Sequence, residues 1–214
     1  VYKRQDIDND GFQDFYLGTG APDYRAIVPN RFFKNMKGES FIDMTFKYNL
    51  GHIQKGHGIA FADFDNDGDQ DIYAVMGGAF KGDVFSNAFF ENKLENEASW
   101  IKLKLVGDRS NKSAIGSKVK VVGLNNNNKE IVFYKTINSG ASFGGNPLIC
   151  HMGLGPIKKL IMISIKWPNG NNQWMDYPNL ELNKMYRINE GQTPENMIIK
   201  SLVFKSDAHN KHNH

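Results

Sequence analysis

Two acidic segments carry most of the chemistry in this sequence. DIDNDGFQD begins at Asp6 and DFDNDGDQD begins at Asp63, and both place aspartate at positions 1, 3, 5 and 9 and glycine at position 6. Carboxylates this close together repel one another unless a cation neutralises them. The glycine can adopt the positive φ that folds such a segment back on itself. Each segment is therefore predicted to be a loop that surrounds a hard cation with oxygen ligands.

Calcium is the ion that suits these loops. Several carboxylates, a backbone carbonyl and water match its shell of roughly 6–8 oxygens better than the strict octahedron of magnesium. We expect about two calcium sites, one in each loop. The predicted ligands are Asp6, Asp8, Asp10, Asp14 and the carbonyl of Phe12 in the first loop, and Asp63, Asp65, Asp67, Asp71 and the carbonyl of Asp69 in the second.

The loops differ from the helix-flanked EF-hand. That motif closes with a glutamate at position 12, where this chain has Leu17 and Ala74. The segments on either side of the second loop, IAFADF and DIYAVM, are rich in strand-forming residues. The alternative is a solvated turn, because Asp, Asn and Gly are ordinary turn residues. Two loops of identical spacing favour metal binding over that alternative.

The two loops belong to a longer duplicated segment. Its two copies are separated along the sequence by the same number of residues as Asp6 and Asp63. The same offset that relates the two loops also aligns Tyr16 with Tyr73. Repeats of this length are typical of propeller blades, in which short strands form small sheets. The segments that match at this offset are NRFFKN, residues 30–35, and NAFFEN, residues 87–92.

Each repeat is predicted to be a small blade with the calcium loop between two strands. The pattern fails after the second repeat, where ENEASWIKL follows NAFFEN. The repeat array is therefore predicted to end near Asn96. The predicted strands of the first unit are 15–17, 31–34 and 40–44, followed by 58–62.

The second half of the chain is also predicted to consist of β-strands. The tetrapeptide NNNN separates segments 118–124 and 130–137 and predicts a hairpin turn, since Asn tolerates left-handed conformations. Apolar residues alternate with polar ones in two further segments, as in strands buried on one face. Together these features predict a β-sandwich or small barrel. The alternating apolar residues are Ile101, Leu103 and Leu105 in the first segment, and Ile161, Ile163, Ile165 and Trp167 in the second.

Two known families share these motifs. DFDNDGDQDIYAV resembles the FG-GAP or VCBS repeat, the calcium-loop blade of integrin-α-like β-propellers. WIKLKLVG, SNKSAIGSKVKV, HMGLG and KWPNG resemble the ASPIC/UnbV domain that ends proteins of the cartilage acidic protein family. The resemblance implies an all-β chain, in which terminal blades of a β-propeller precede a β-sandwich or small-barrel domain. It also implies a calcium-binding interaction or adhesion module, extracellular or in the cell envelope, with a protein or glycan partner at the cell surface.

The motifs divide the chain into four regions. VYKRQ at the start resembles a translated sequencing adapter, and we exclude it from the fold prediction. The chain then opens inside a calcium loop, so we expect an N-terminally truncated fragment that lacks its signal peptide and the strand before that loop. The regions are 1–5, the adapter-like segment; 6–97, the FG-GAP/VCBS repeats; 98–190, the ASPIC/UnbV-like domain; and 191–214, an extra strand or disordered tail.

Composition excludes several classes of function. Hydrophobic residues make up 40% and aromatic residues 12% of the 214 residues, which is enough for packed cores. The net charge is only +3 and the lysines are scattered, so nucleic-acid binding is not indicated. No apolar run approaches the ~20 residues needed to span a bilayer. We expect neither a nucleic-acid partner nor a membrane span in this sequence.

No catalytic residue set can be assigned from the sequence, so a module without enzymatic activity is expected. Cys150 and His151 are neighbours in a predicted strand and should point to opposite faces, which prevents a thiol–imidazole pair. One alternative is a secreted propeller enzyme acting on polysaccharide, with its catalytic residues in missing blades. The other is a glycan-binding module. Its stacking platform would comprise Trp100, Trp167 and Trp174.

Overall fold

The computed structural model describes residues 2–19, 23, 25, 27–78, 81–93, 97–140 and 147–204. Across these residues the regular structure consists of fifteen strands in four small sheets, without a helix. The predicted all-β class is confirmed. Accordingly, the described part of the chain contains no helix of the length and apolarity that a membrane crossing requires.

The first repeat is a four-stranded antiparallel sheet whose strands follow one another in chain order. The first acidic loop joins its first two strands. The three predicted strands of the unit are present, with ends shifted by at most one residue. The strands are β1 (Tyr2–Gln5), β2 (Asp14–Leu17), β3 (Arg31–Asn35) and β4 (Phe41–Asp43).

A strand precedes the first acidic loop, contrary to expectation. β1 pairs antiparallel with β2, from Tyr2 opposite Leu17 to Gln5 opposite Asp14. The prediction that this strand is missing is therefore wrong. Ladder hydrogen bonds join backbone groups, so an extended segment can pair with the edge of β2 although VYKRQ differs from the GIAFA before the second loop. The adapter origin of residues 1–5 stays a prediction.

The second repeat is a three-stranded antiparallel sheet, and the second acidic loop joins its first two strands. Both repeat sheets contribute to one buried core. Tyr16 and Phe32 enter it from the first sheet, and Phe61 and Ile72 from the second. The strands are β5 (Gly56–Ala62), β6 (Asp71–Met76) and β7 (Ala88–Phe90).

The second half of the chain forms two four-stranded sheets around a separate core. The NNNN segment forms the predicted hairpin, and Asn128 adopts a left-handed φ of 56° there. One sheet has the order β10-β9-β12-β13 and the other the order β11-β8-β14-β15, in which β8 and β14 run parallel. The strands are β8 (Ser99–Val106), β9 (Lys118–Asn125), β10 (Glu130–Thr136), β11 (Ile149–Gly155), β12 (Ile157–Lys166), β13 (Trp174–Pro178), β14 (Lys184–Asn189) and β15 (Glu195–Met197).

The alternating residues of β8 point into this core as predicted, whereas those of the second segment do so only in part. Ile163, Ile165 and Trp167 are buried, but Ile161 is 36% exposed. The pairing of β12 with β9 shifts register beside Ile161. Such an irregularity interrupts strict alternation of side chains between the two faces, so the predicted stripe ends at Ile163.

The last described residues return to the second repeat. β15 pairs with β14 at the edge of its sheet. Residues 198–204 form no strand, but the Leu202 amide donates to the carbonyl of Asp65 at 2.5 Å. Phe204 packs edge-on against Phe89 of β7. The rest of the region predicted as an extra strand or disordered tail, residues 205–214, lies outside the described residues.

Candidate metal centre

The first acidic loop gathers three carboxylates. Asp6, Asp8 and Asp14 each offer one oxygen, and these oxygens lie within 4.8 Å of one another. Ligands on opposite sides of one calcium ion are about 5 Å apart, since Ca–O bonds are about 2.3–2.6 Å long. All three residues are buried. The oxygens therefore have the spacing that a single ion requires, while ligation itself stays a prediction.

The second loop gathers an equivalent cluster from Asp63, Asp65 and Asp67, again with oxygens within 4.8 Å. Asp63 Oδ2 accepts the amide of Gly68 at 2.9 Å. Its other oxygen, Oδ1, is buried and accepts no hydrogen bond from the described residues. A buried carboxylate oxygen without a partner costs free energy, so this atom is suited to a ligand.

Six of the eight predicted aspartate side-chain ligands thus come together, and Asp10 and Asp71 do not join the clusters. Asp10 instead accepts the amide of Phe12 at 2.8 Å. Asp71 is fully buried and accepts two backbone amides, as Asp14 does in the first loop, but it lies outside the second cluster. The carbonyl of Asp69 accepts Gln70 Nε2 at 3.4 Å. Ligation by the carbonyls of Phe12 and Asp69 stays a prediction.

The last aspartate of each loop ties three strands together. Asp14 accepts the amide of Ile7 at 3.0 Å and the amide of Asn35 at 2.7 Å. Asp71 accepts the amides that the duplication aligns with these two, from Phe64 and Asn92, at 2.9 and 2.8 Å. The hydrogen bonds of the two loops therefore repeat with the sequence offset. In the first repeat, Asp14 links the start of the loop to the end of β3. In the second, Asp71 links the start of the loop to the residues after β7.

NRFFKN and NAFFEN each begin with an asparagine. Both asparagines have a structural role that was not predicted from the sequence. Asn30 Oδ1 accepts the amide of Thr19 at 2.8 Å, and Asn87 Oδ1 accepts that of Met76 at 3.2 Å. The duplication also aligns Thr19 with Met76. The alignment of the repeats carried the signal, because both copies have an asparagine at this position.

Burial makes three of these carboxyls retain their protons to a higher pH than ordinary aspartates do. It raises the pKa of Asp6 to about 8, that of Asp14 to about 7 and that of Asp71 to about 6, and neighbouring aspartates add to each rise. Hydrogen bonds from backbone amides oppose the effect at all three residues. A bound cation favours the ionised form of a nearby carboxyl. A cation bound in either loop would therefore stabilise the ionised form of these aspartates.

Each loop also contacts one lysine. Lys34 of β3 forms an ion pair with Asp8, and Lys102 of β8 forms one with Asp63. The Lys102 side chain is only 4% exposed, and burial lowers its pKa to about 8. The adjacent carboxylate of Asp63 favours the charged ammonium. The alternation of apolar and polar residues in β8 predicted that Lys102 points away from the sandwich core, and it does. The second acidic loop covers that face of the strand at Lys102.

The outer face of the sheet containing β8 and β11 lies against both loops. His151 Nε2 is 2.9 Å from Asn9 Oδ1 in the first loop. Trp100 stacks on the His151 ring with centroids 6.0 Å apart. A Cβ added to Gly68 would lie 2.1 Å from Trp100 Nε1, so the second loop meets the indole closely. Sequence reasoning missed this junction, because no local pattern reports which surface covers the polar face of a strand.

The residues considered for other chemistry do not assemble into a site. Cys150 points into the sandwich core with 1% exposure, and His151 lies on the opposite face, as predicted. The three tryptophans of the glycan-binding alternative are separated. Trp167 is buried in the core, Trp100 lies at the second loop, and Trp174 is on β13 with the Lys120 ammonium 5.5 Å from its ring centroid.

Two family models match the chain. Residues 6–74 match the FG-GAP-like repeat, and residues 107–195 match the ASPIC and UnbV domain. The chain therefore carries an FG-GAP-like repeat followed by an ASPIC/UnbV domain, as the resemblance predicted. FG-GAP repeats are typical of extracellular proteins. No curated protein sequence matches the chain significantly.

Proposed function

We propose that this chain is a calcium-binding interaction module of the extracellular space or cell envelope, in which calcium stabilises the propeller-blade loops. One observation carries the proposal. Two loops of the same 1-3-5-9 spacing each bring three carboxylate oxygens within 4.8 Å of one another. The fit to calcium is supported by the donor chemistry, since calcium prefers carboxylate oxygens at this spacing. The buried Asp63 Oδ1, which has no hydrogen-bond partner within the described ranges, supports it further.

The ion's role would be structural. Asp6 directly follows β1 and Asp14 opens β2, so an ion held by both carboxylates closes the loop between these strands. Asp14 also holds the amide of Asn35 at the end of β3. When bound, calcium supplies the positive charge that lets these carboxylates remain ionised side by side. One ion thereby connects three strands of the blade.

Isothermal titration calorimetry of the complete chain tests the calcium sites. We expect about two sites, with dissociation constants near the ~10⁻⁴–10⁻³ M of extracellular modules. Asp65→Ala combined with Asp67→Ala should remove one site and leave the other. Asp176→Asn removes an exposed carboxylate of β13 and is the matched control, which should retain both sites. A double variant that titrates like the parent chain contradicts the ligand assignment.

The interaction role rests on the two domains that the chain carries. A protein or glycan partner at the cell surface is expected from them, and calcium-dependent retention on a glycan array would identify a glycan partner. The same preparation should turn over no polysaccharide, ester or phosphoester. Turnover of any of them would favour the enzymatic alternative.

A further inference from the structure

The two acidic loops take their counter-charge from different parts of the chain. In the first repeat the lysine belongs to the blade itself, since Lys34 of β3 pairs with Asp8. The duplication aligns Lys34 with Glu91 and Asp8 with Asp65. The second repeat therefore has an acid where the first has a base. Burial raises the pKa of Asp65, and the charge of Glu91 is among the causes that add to it.

Lys102 supplies the missing positive charge from the ASPIC/UnbV side of the chain. It extends from β8 and pairs with Asp63 Oδ2, and both side chains are at least nine-tenths buried. Its ammonium also lies 5.1 Å from the ring centroid of Trp100, within the range of a cation–π interaction. Asp63 Oδ1 is left without a hydrogen bond from the described part of the chain. Lys102 therefore holds one oxygen of the carboxylate and leaves the other for an ion.

The surroundings of Lys102 fit the loops closely. Cross-strand pairing places Lys102 opposite His151 and Trp100 opposite Gly153 on one face of the sheet. A Cβ on Gly153 would lie 2.2 Å from Asp6 Oδ2, so only glycine allows this approach. The amide of a second glycine in the same strand, Gly155, donates to the carbonyl of Asn9 at 2.7 Å across the junction.

We propose that the sandwich docks on the second acidic loop through Lys102, which replaces across the domain junction the lysine that the second repeat lacks. Docking of the sandwich and neutralisation of the negative charge of the second loop are then one event. The second loop remains a calcium site, because Lys102 occupies only Asp63 Oδ2. Only this statement, that the second loop still binds calcium, rests on the proposed calcium function.

Amide hydrogen exchange measured by NMR on the complete chain separates docking from folding. The Gly155 amide reports docking, the Gly68 amide reports the second loop through its bond to Asp63, and the amides of β8 report the sandwich itself. In chelator, Lys102→Met should accelerate exchange at Gly155 and Gly68 about tenfold or more while β8 stays protected. Lys104→Met removes an exposed lysine of the same strand and should leave all three unchanged.

Two further variants keep the proposal falsifiable. Asp63→Asn leaves the sandwich sequence intact and should also accelerate exchange at Gly155, so it replaces Lys102→Met if that variant loses protection in β8. Glu91→Lys added to Lys102→Met gives the second repeat a lysine of its own. It should restore protection at Gly68 but not at Gly155.

The outcomes distinguish the two proposals. Gly155 exchange that is unchanged in both Lys102→Met and Asp63→Asn overturns docking through Lys102. Calcium added to Lys102→Met should restore protection at Gly68, because the ion supplies the lost charge. If calcium changes no amide in any variant while Lys102→Met still accelerates Gly155, the calcium function fails and docking through Lys102 stands.

Discussion

Asn9 and His151 are 142 residues apart in the chain, yet their side chains meet, with His151 Nε2 2.9 Å from Asn9 Oδ1. Asn9 is 2% exposed and also donates from Nδ2 to the carbonyl of Gly68 at 2.9 Å. One asparagine therefore joins the first loop, the second loop and the ASPIC/UnbV side of the chain. The acidic loops form the junction between the repeats and the sandwich.

Replacing this asparagine should destabilise the junction. Asn9→Ala leaves buried hydrogen-bonding groups of Gly68 and His151 without a partner. We expect a loss of about 1–3 kcal/mol in the free energy of unfolding beyond that of a matched control. Asn66→Ala is that control, because Asn66 holds the same loop position and a similar φ, 63° against 57°, but its amide donates to Lys200 rather than contacting His151. Urea denaturation of both variants measures the difference, and equal losses would contradict a role for the Asn9–His151 contact.

A side chain at Gly153 should force the two parts of the chain apart. The added Cβ would lie 2.2 Å from Asp6 Oδ2 and 2.4 Å from the Cα of Asn9, and the backbone cannot move away freely. Gly153→Ala is expected to cost about 1–3 kcal/mol through overpacking. Gly58→Ala is the control in another strand, where the nearest atom would be 3.5 Å away on Val75. Thermal melts should show a lower midpoint for the first variant only, and equal midpoints would mean that the junction is loosely packed.

Glu190, at the other end of the sandwich, should make the stability of the chain depend on pH. Its Oε2 accepts the amides of Asp108 and Ser110 at 2.9 and 2.8 Å, and its Oε1 accepts Asn169 Nδ2 at 2.7 Å. Burial alone would raise the pKa of Glu190, but these hydrogen bonds outweigh it and lower the pKa below its usual value. The stabilisation is therefore complete above the unfolded pKa of about 4.3 and is lost as pH falls through the lower folded value.

The matching variant is Glu190→Ala, which leaves three donors without their acceptor. It should lower the free energy of unfolding by about 1–3 kcal/mol at pH 7. The difference from the parent chain should shrink as the pH is lowered below about 4, where the carboxylate becomes protonated. Glu181→Ala removes an exposed glutamate and should change little at either pH. A difference that is constant with pH would show that the charge of Glu190 contributes nothing.

Removing the lysine of the first loop should tighten calcium binding there. The Lys34 ammonium lies on Asp8, a predicted ligand, so its charge opposes an incoming cation. Lys34→Met is expected to raise the calcium affinity of the first loop by about threefold to tenfold, since charges at such short range interact appreciably even with strong screening. The exposed Lys47 provides the control as Lys47→Met. Calorimetry in an Asp65→Ala, Asp67→Ala background isolates the first loop, and weaker binding would mean that Lys34 orients the ligands instead.

The sequence alone determined the features that depend on neighbours in the chain. The spacing of aspartates and glycine defined both loops, and the constant offset between the repeats aligned residues that form equivalent hydrogen bonds. Alternation in IKLKL identified β8 and its two faces, and NNNN identified the hairpin between β9 and β10. Such features are recoverable because strand period, turn preference and loop closure act over a few residues.

The tertiary structure decided what covers each face. Alternation placed Lys102 on the polar side of β8, but only the packed chain shows Asp63 and Trp100 around its ammonium. The register shift that exposes Ile161 and the pairing that makes Tyr2–Gln5 a strand likewise depend on partner strands. A polar face has the same period whether water or an acidic loop lies against it. Only contacts between distant segments distinguish the two, and those contacts leave no local pattern in the sequence.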